Sequence, residues 1–178
     1  FGPALENLLK LDVARGGIEP AVARLNALLG DDPNNLTVLM SLAAIQSNGN
    51  VMRAIATLDR AIEAHPERLE PRIALARLQL RRGSYVESET SIEGALDIAP
   101  NDTNILAQAA EIALARGDLE DAGSHVATLE GLIREVDLHP SLHARMGILH
   151  SRVGNTLDAR RHLNDALANA TRPDGAAL

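Results

Sequence analysis

The segment that decides the fold is residues 72–100, which read RIALARLQLRRGSYVESETSIEGALDIAP. Apolar residues recur at helical spacing before Gly83 and again between it and Pro100. A small residue, Ser88, follows the glycine by five positions, and a branched aliphatic residue, Ile92, follows it by nine. Glycine adopts the left-handed conformation that ends many helices, and proline cannot continue one. The segment is therefore predicted to form two helices joined by a turn at Gly83.

The same spacing recurs along the whole chain. Turn glycines fall 33, 34, 34 and 37 residues apart, at Gly16, Gly49, Gly83, Gly117 and Gly154. Five positions after each glycine stands a small residue: Ala21, Ala54, Ser88, Ala122 and Ala159. Nine positions after each stands a branched aliphatic residue: Leu25, Leu58, Ile92, Val126 and Leu163. A period of about 34 residues is typical of helical-hairpin repeats, whose core is a seam between neighbouring repeats.

These signals predict ten helices in five hairpins. The expected bounds are 3–15, 18–30, 35–48, 51–64, 69–82, 85–98, 102–116, 119–136, 141–153 and 156–170. Polar residues after the turns are expected to cap the second helices. After Pro33 and Pro100, the pairs Asn34-Asn35 and Asn101-Asp102 are expected to cap the next helix. The small residue five positions after each glycine should let the two helices approach closely. The fourth repeat is longer, and its segment from Leu132 to Leu138 is expected to be extra helix. That extra length is either a tolerated insertion or a lip that changes the local curvature.

Composition excludes several classes of function. The net charge is −7, which argues against nucleic acid as a partner, because nucleic-acid-binding proteins usually carry a basic face. No apolar stretch approaches the roughly 20 residues that a membrane helix needs, so no direct membrane insertion of this segment is expected. The chain has no cysteine, which excludes disulfides and thiolate chemistry. It begins Phe1-Gly2-Pro3, so we expect a processed or excised segment of a longer chain.

The pattern resembles the tetratricopeptide repeat family. The third repeat carries the characteristic positions at Leu75, Ala76, Gly83, Ser88, Ile92, Ala95 and Pro100. The second carries them at Gly49, Ala54, Leu58, Ala61 and Pro66. The resemblance implies an all-α, right-handed superhelical stack of five helix-turn-helix repeats forming one solenoid over residues 1–178. The repeat boundaries fall at about 3–33, 34–67, 68–101, 102–139 and 140–171. It also implies a non-enzymatic scaffold that presents a concave groove to a peptide or helix of a partner protein.

Departures from the family pattern refine this expectation. Leu, Ile and Val replace the usual aromatic residues, and this style resembles bacterial cell-envelope repeat proteins linked to exopolysaccharide export and exosortase-type sorting. A periplasmic or envelope location is therefore expected in preference to the cytoplasm.

Members of the family that dock chaperone tails hold a carboxylate with Lys and Asn. The corresponding positions here include Glu6, Lys10, Leu39 and Ala43, so that function is not implied.

The inner wall of such a stack comes from the first helix of each repeat. Its expected partner-binding residues are Lys10, Met40, Gln46, Arg77, Arg81, Gln108, Glu111, Arg145 and Arg152. Arginine pairs well with carboxylates and phosphates, so the wall could form a locally positive groove on an acidic protein. An alternative interpretation is that several arginines only favour the negative ends of their helices: Arg81, Arg82, Arg116 and Arg152.

No pattern for catalysis, a cofactor or a metal is evident. The chain lacks a phosphate-binding loop, a dinucleotide-binding glycine pattern and a nucleophile elbow. His139, His143 and His150 lie close in sequence, with His162 further on, but no Asp or Glu shares the first helix of that repeat. A metal site needs three or four convergent ligands. The histidines are therefore predicted to be surface or groove-lining residues, with no catalytic, cofactor or metal site.

The last helix leaves an apolar face without a predicted neighbour. This face contains Leu157, Leu163 and Leu167. Terminal repeats normally need a polar cap, and large exposed apolar patches rarely persist. Either the native chain continues into further repeats, or the face packs on another chain, including a second copy.

Two alternatives to the scaffold therefore stay open. One is a docking domain of a larger enzyme such as a glycosyl- or sulfotransferase, and the other is a self-assembling repeat.

Overall fold

A computed structural model describes residues 7, 9, 11, 17–133 and 140–170 of the chain. Within these residues there are nine complete helices and no strand. Their bounds are α1 Ile18–Asp31, α2 Leu36–Gln46, α3 Val51–Ala64, α4 Leu69–Arg82, α5 Tyr85–Leu96, α6 Thr103–Arg116, α7 Leu119–Ile133, α8 Pro140–Arg152 and α9 Thr156–Ala170. The predicted helix at 3–15 lies mostly outside the described residues, although Asn7, Leu9 and Leu11 are helical. All nine helices lie where helices are predicted, with described bounds that differ by at most two residues. The predicted extension of α7 beyond Ile133 lies outside the described residues.

The chain divides into two compact units, Phe1–Arg82 and Gly83–Leu178. Helices α1 to α4 belong to the first unit and α5 to α9 to the second. In each unit, helices that follow one another pack as antiparallel neighbours, and in the second unit α6 also contacts α8. The single solenoid with five repeat boundaries stays a prediction.

Side-chain caps start several helices at the predicted positions. The Asn35 carboxamide oxygen accepts from the Val38 amide at 3.2 Å at the start of α2. The Asp102 carboxylate accepts from the amides of Asn104 and Ile105 at 2.8 and 3.1 Å at the start of α6. Asn50 caps α3, but Ser84 makes no side-chain bond at the start of α5. These bonds satisfy amides that have no partner inside the helix.

The turn glycines adopt the predicted left-handed conformation at three hairpins but not at Gly49. The φ angles are 76° at Gly83, 88° at Gly117 and 90° at Gly154. After α2, by contrast, the amides of Asn48 and Gly49 bond to carbonyls three residues earlier. This tighter turn reverses the chain without a positive φ angle, so the prediction for Gly49 is wrong.

Small residues allow the helices of each hairpin to approach closely, as predicted. Four of the residues five positions after the turn glycine are fully buried: Ala21, Ala54, Ser88 and Ala122. The fifth, Ala159, is 5% exposed. They lie among aliphatic side chains: Leu25 and Leu39 pack near Ala21 in the first unit. Larger side chains at these positions would force the helices apart.

In the described part of the chain, no helix combines the length and the apolar character that a membrane span requires.

Removing the cap of α3 should measurably weaken the first unit. The Asn50 side-chain oxygen accepts from the Arg53 amide at 3.1 Å. Asn50→Ala should lower the free energy of unfolding by about 1 kcal/mol, because that amide loses its partner. Urea unfolding followed by circular dichroism measures the change. Asn48→Ala is the control, since Asn48 is exposed in the same turn and does not cap the helix. Equal losses in both variants would contradict the capping role.

Candidate functional site

A pocket in the first unit brings together three of the predicted wall residues. It lies between α2 and α4, the first helices of the second and third repeats, and has a volume of about 230 Å³. Met40, Arg77 and Arg81 line it. The rest of the lining is small or apolar, consisting of Ala43, Ala44, Ser47, Leu58, Ala74 and Leu78. Both arginines are exposed on α4, four residues apart and therefore on the same helix face.

Gln46 lies apart from this pocket. It lines two other pockets of about 440 and 300 Å³, together with Asn26 and Arg53. Its side-chain oxygen accepts a hydrogen bond from the Thr57 hydroxyl at 2.7 Å. Gln46 therefore joins α2 to α3 within one hairpin. Lys10, also predicted for the wall, lies outside the described residues.

In the second unit, two predicted wall residues pair with each other. The Arg145 guanidinium on α8 donates to Glu111 Oε1 on α6, with N–O distances of 3.0 and 3.2 Å. The pair is separated by 34 residues, one repeat, so it joins equivalent helices of successive repeats. Arg145 also approaches Asn104 Oδ1 at 3.5 Å. Its charge is therefore already compensated within the chain, whereas Arg152 at the end of α8 is exposed.

The predicted wall position of Gln108 is wrong. Its exposed fraction is only 2%, because α6 packs against α5, α7 and α8 and every residue from Ile105 to Ala110 is buried. A partner cannot reach this side chain without moving a helix. Helical spacing alone places Gln108 on the first helix of its repeat, but it does not indicate how many neighbours surround that helix.

Another predicted arginine has a structural role at a helix end. Arg116, the last residue of α6, pairs with Glu89 on α5 and with Asp118, at 2.9 Å from the latter. Asp118 also accepts from the Asp121 amide at 3.0 Å. That backbone bond, more than the charge of Arg116, holds the pKa of Asp118 below its usual value. For Arg116, the interpretation as a helix-end residue is the one that fits.

The leucines predicted to form an uncovered face are exposed on α9. The exposed fractions are 84% for Leu157, 45% for Leu163 and 66% for Leu167. Leu163 also contacts α8, since its side chain lies over Gly147. That further repeats or another chain cover this face stays a prediction.

A cluster of histidines and a glutamate lies inside the second unit. His150 on α8 and His162 on α9 are buried, with exposed fractions of 3% and 2%. Glu130 on α7 lies between them. Its Oε2 atom is 2.8 Å from His162 Nε2 and 3.3 Å from His150 Nε2. His143 Nδ1 is 3.0 Å from His162 Nδ1. The prediction of surface or groove-lining histidines is wrong for His150 and His162.

Burial and charge act against each other on Glu130. Burial by itself would raise the pKa of the carboxyl group. Hydrogen bonds from His162 and His150, with the positive charge of Arg161, outweigh it and hold the pKa below its usual value. Arg161 contacts the other carboxylate oxygen, Oε1. Glu130 is therefore an ionised carboxylate with one oxygen directed at two imidazoles.

One sequence signal could have revealed this cluster. Thirteen positions after the turn glycine, the other four repeats carry Leu29, Ile62, Leu96 and Leu167. The fourth repeat carries Glu130 there. A carboxylate at an otherwise apolar position of a repeat indicates a buried polar partner. The helix of His143 and His150 carries no carboxylate of its own, because the carboxylate of the cluster comes from the preceding repeat.

Comparison with known proteins identifies the repeat. Residues 46–112 match the family model described as "Tetratricopeptide repeat". This match covers the second helical hairpin from the end of α2 and continues into α6. The chain contains tetratricopeptide repeats in this segment. No curated protein matches the sequence.

Solved structures of tetratricopeptide repeat proteins share the fold at low identity. MamA from Desulfovibrio magneticus is 17% identical with a TM-score of 0.70, over 98% of this chain and 97% of that one. Nearly identical TPR-like repeats from Podospora anserina are 18% identical with a TM-score of 0.75, over 95% and 94% of the two chains. A tetratricopeptide repeat protein from Parabacteroides merdae is 22% identical with a TM-score of 0.65, over 96% and 66%. At these identities the likeness shows the fold alone.

Proposed function

We propose that the chain is a non-catalytic interaction scaffold that binds a segment of a partner protein through the first helices of its repeats. The observation that carries this proposal is the pocket between α2 and α4. It combines an apolar floor, which includes Leu58 and Leu78, with Arg77 and Arg81 at its edge. Tetratricopeptide repeats typically serve as scaffolds, and the family match includes most of the residues that line this pocket.

The chemistry of the pocket indicates the kind of segment it binds. Its volume of about 230 Å³ suits an apolar side chain rather than a cofactor, since small-molecule sites are usually about 300–1,000 Å³. The two arginines favour carboxylates beside that side chain, because a guanidinium can bond a carboxylate through two N–H groups. The partner is thus an extended or helical segment in which an apolar residue is flanked by Asp or Glu.

We expect the second unit to contribute less to partner binding than the sequence alone predicts. Arg145 is paired with Glu111, so a partner carboxylate would compete with a bond already present. Charge reversal at Arg145 would also place two carboxylates together and disturb α6 against α8. Arg77 and Arg81 both line the pocket on one face of α4, so they are the pair for a test of binding.

Charge reversal at the pocket should weaken binding strongly. A peptide selected from a displayed random library against the wild-type chain serves as the probe, and fluorescence anisotropy measures its affinity. Arg77→Glu/Arg81→Glu should reduce the affinity at least tenfold, about 1.4 kcal/mol, and flatten its dependence on salt, because attraction becomes repulsion.

Two matched variants locate the effect. Arg160→Glu makes the same kind of charge change on an exposed position of α9, and Arg53→Glu makes it in the other pockets of the first unit. Both should leave the affinity within about twofold of the wild type. A peptide that binds the double variant as tightly as the wild type, or that is lost in Arg53→Glu instead, would contradict the proposed site.

The finer assignments remain part of this proposal. The aliphatic, arginine-rich style favours an assembly in a bacterial envelope or in polysaccharide export. The runner-up function is a docking domain of a larger enzyme, which the length of the full open reading frame tests. The exposure of Leu157 and Leu167 on α9 favours self-association as a second candidate. Light scattering across a concentration series separates a self-associating chain from a monomeric scaffold.

A further inference from the structure

The histidine cluster in the second unit lies apart from the pocket of the first unit, and partner binding does not explain it. Its members come from three helices: Glu130 from α7, His150 from α8 and His162 from α9. One ligand atom from each of the three lies within 4.8 Å of the others. Two buried imidazoles beside a partly buried carboxylate, in a core that is mostly aliphatic, require a specific reason.

The spacing of these atoms is close to what a tetrahedral ion requires. Ligands bound at about 2.0–2.1 Å to tetrahedral zinc lie about 3.3 Å from one another. Glu130 Oε2 is 3.3 Å from His150 Nε2 and 2.8 Å from His162 Nε2. Two of the three distances between ligand atoms are therefore already near the tetrahedral value, on helices that are already in place.

One ring must rotate, and the structure indicates which. The rings of His150 and His162 are stacked, with an angle of 11° between their planes, so their nitrogen lone pairs cannot both point at one ion as they stand. His162 is held at both nitrogens, by Glu130 and by His143. Among the described residues, His150 is held only through Nε2, and its buried Nδ1 has no hydrogen-bond partner. His150 can therefore tilt towards an ion without breaking a second bond.

The surrounding contacts are those that orient metal ligands. A metal-bound imidazole usually donates its other N–H to a neighbour, and His143 Nδ1 stands 3.0 Å from His162 Nδ1 to accept it. Arg161 holds Glu130 through Oε1, which leaves Oε2 for the ion. Ligating carboxylates are commonly fixed in this way.

The ligand types select the class of metal. Two imidazole nitrogens and one carboxylate oxygen suit zinc and similar divalent transition metals, whereas calcium and magnesium prefer oxygen ligands throughout. Three protein ligands leave a fourth position for water. We propose that Glu130, His150 and His162 form a Zn²⁺ site that joins α7, α8 and α9.

A second arrangement competes for the same histidine. His143, His162 and Asp165 also bring ligand atoms within 4.8 Å of one another. Asp165 lies on the same helix as His162, so this group joins only α8 and α9. The proposal assigns the ion to Glu130, and variants of Glu130 and Asp165 distinguish the two arrangements.

The test is metal titration of the full chain without any affinity tag. The protein is stripped with a chelator, and Zn²⁺ is titrated in competition with a chromophoric indicator. We expect one Zn²⁺ per chain, and a rise in the thermal midpoint of about 5–10 °C at a free Zn²⁺ concentration 100 times the dissociation constant. Co²⁺ should give the intense visible bands of a tetrahedral ion. Glu130→Gln and His162→Gln should each weaken Zn²⁺ binding at least tenfold.

Two controls make the assignment specific. Asp165→Asn should bind Zn²⁺ within about twofold of the wild type, as should His125→Gln, which alters a histidine of α7 paired with Asp121 outside the cluster. Circular dichroism in chelator checks that each variant stays helical. The proposal is wrong if the wild type binds no stoichiometric Zn²⁺, or if its Co²⁺ spectrum is that of a six-coordinate ion. It is also wrong if Asp165→Asn loses the metal while Glu130→Gln retains it. The wild-type titration and spectrum decide whether the chain binds a tetrahedral Zn²⁺ even if a variant fails to fold.

Discussion

Replacing Ala122 with leucine should lower the free energy of unfolding by about 3 kcal/mol, at the upper end for overpacking. Ala122 has no exposed surface, and it packs in the core of the second unit with Ala110, Val126 and Leu129. The larger side chain must push α7 away from α6, which opens gaps elsewhere in a close-packed core. Urea unfolding followed by circular dichroism measures the loss. The thermal midpoint should fall by about 2–4 °C for each kcal/mol.

A neighbouring alanine provides the control for this substitution. Ala127 is exposed on the same helix, so Ala127→Leu should change stability by less than about 0.5 kcal/mol. In the first unit, Ala54→Leu and Ala56→Leu form the equivalent pair, because Ala54 is fully buried and Ala56 is exposed. A neutral effect at both Ala122 and Ala54 would mean that the repeat register is misplaced.

Replacing Gly147 with leucine should also destabilise the chain, by about 2–3 kcal/mol. A Cβ atom at this position would lie 2.6 Å from Leu163 Cγ and 3.2 Å from the carbonyl oxygen of Ala159. The Leu163 side chain is partly exposed and can turn aside. The carbonyl oxygen belongs to the backbone of α9 and cannot move in this way. Urea unfolding followed by circular dichroism measures this loss as well. Gly131→Leu is the control, since nothing lies within 4 Å of a Cβ atom there and leucine is the better helix former.

A double-mutant cycle tests whether Leu163 is the cause. Gly147→Ala should destabilise the wild type, because its Cβ atom meets both Leu163 and the carbonyl oxygen of Ala159. In a Leu163→Ala background the same substitution should be less destabilising, because only the contact with the carbonyl oxygen remains. Strict additivity of the two substitutions would show that Gly147 and Leu163 do not interact.

Much of the local structure could be predicted from the repeat pattern. The bounds of α3 and α4 are the predicted ones, and the predicted caps at Asn35, Asn50 and Asp102 form. These features depend on residues within a few positions of one another, where glycine, proline and polar caps act directly on the backbone. The third and fourth repeats each place a buried alanine seven positions before the turn glycine, at Ala76 and Ala110, and the fifth places Gly147 there.

The candidate sites were less predictable, because they depend on which helices meet. Arg145 was assigned to a partner, but it pairs with Glu111 one repeat earlier. Gln108 was assigned to the same wall, but three helices bury it. Each side chain was placed correctly on its own helix. Its surroundings were set by neighbouring repeats, which helical periodicity does not describe.

By itself the sequence determined that this chain consists of helical hairpins and which small residues lie between their helices. A period of 34 residues repeats the same local signals, and those signals set the helices and the turn of each hairpin. Only the tertiary structure decided that Glu130 meets His150 and His162. Position in the repeat could mark Glu130 as unusual, but its partners lie 20 and 32 residues further along the chain. They are brought together because α7, α8 and α9 pack into one unit, and a buried carboxylate is stable there only beside groups that bond to it.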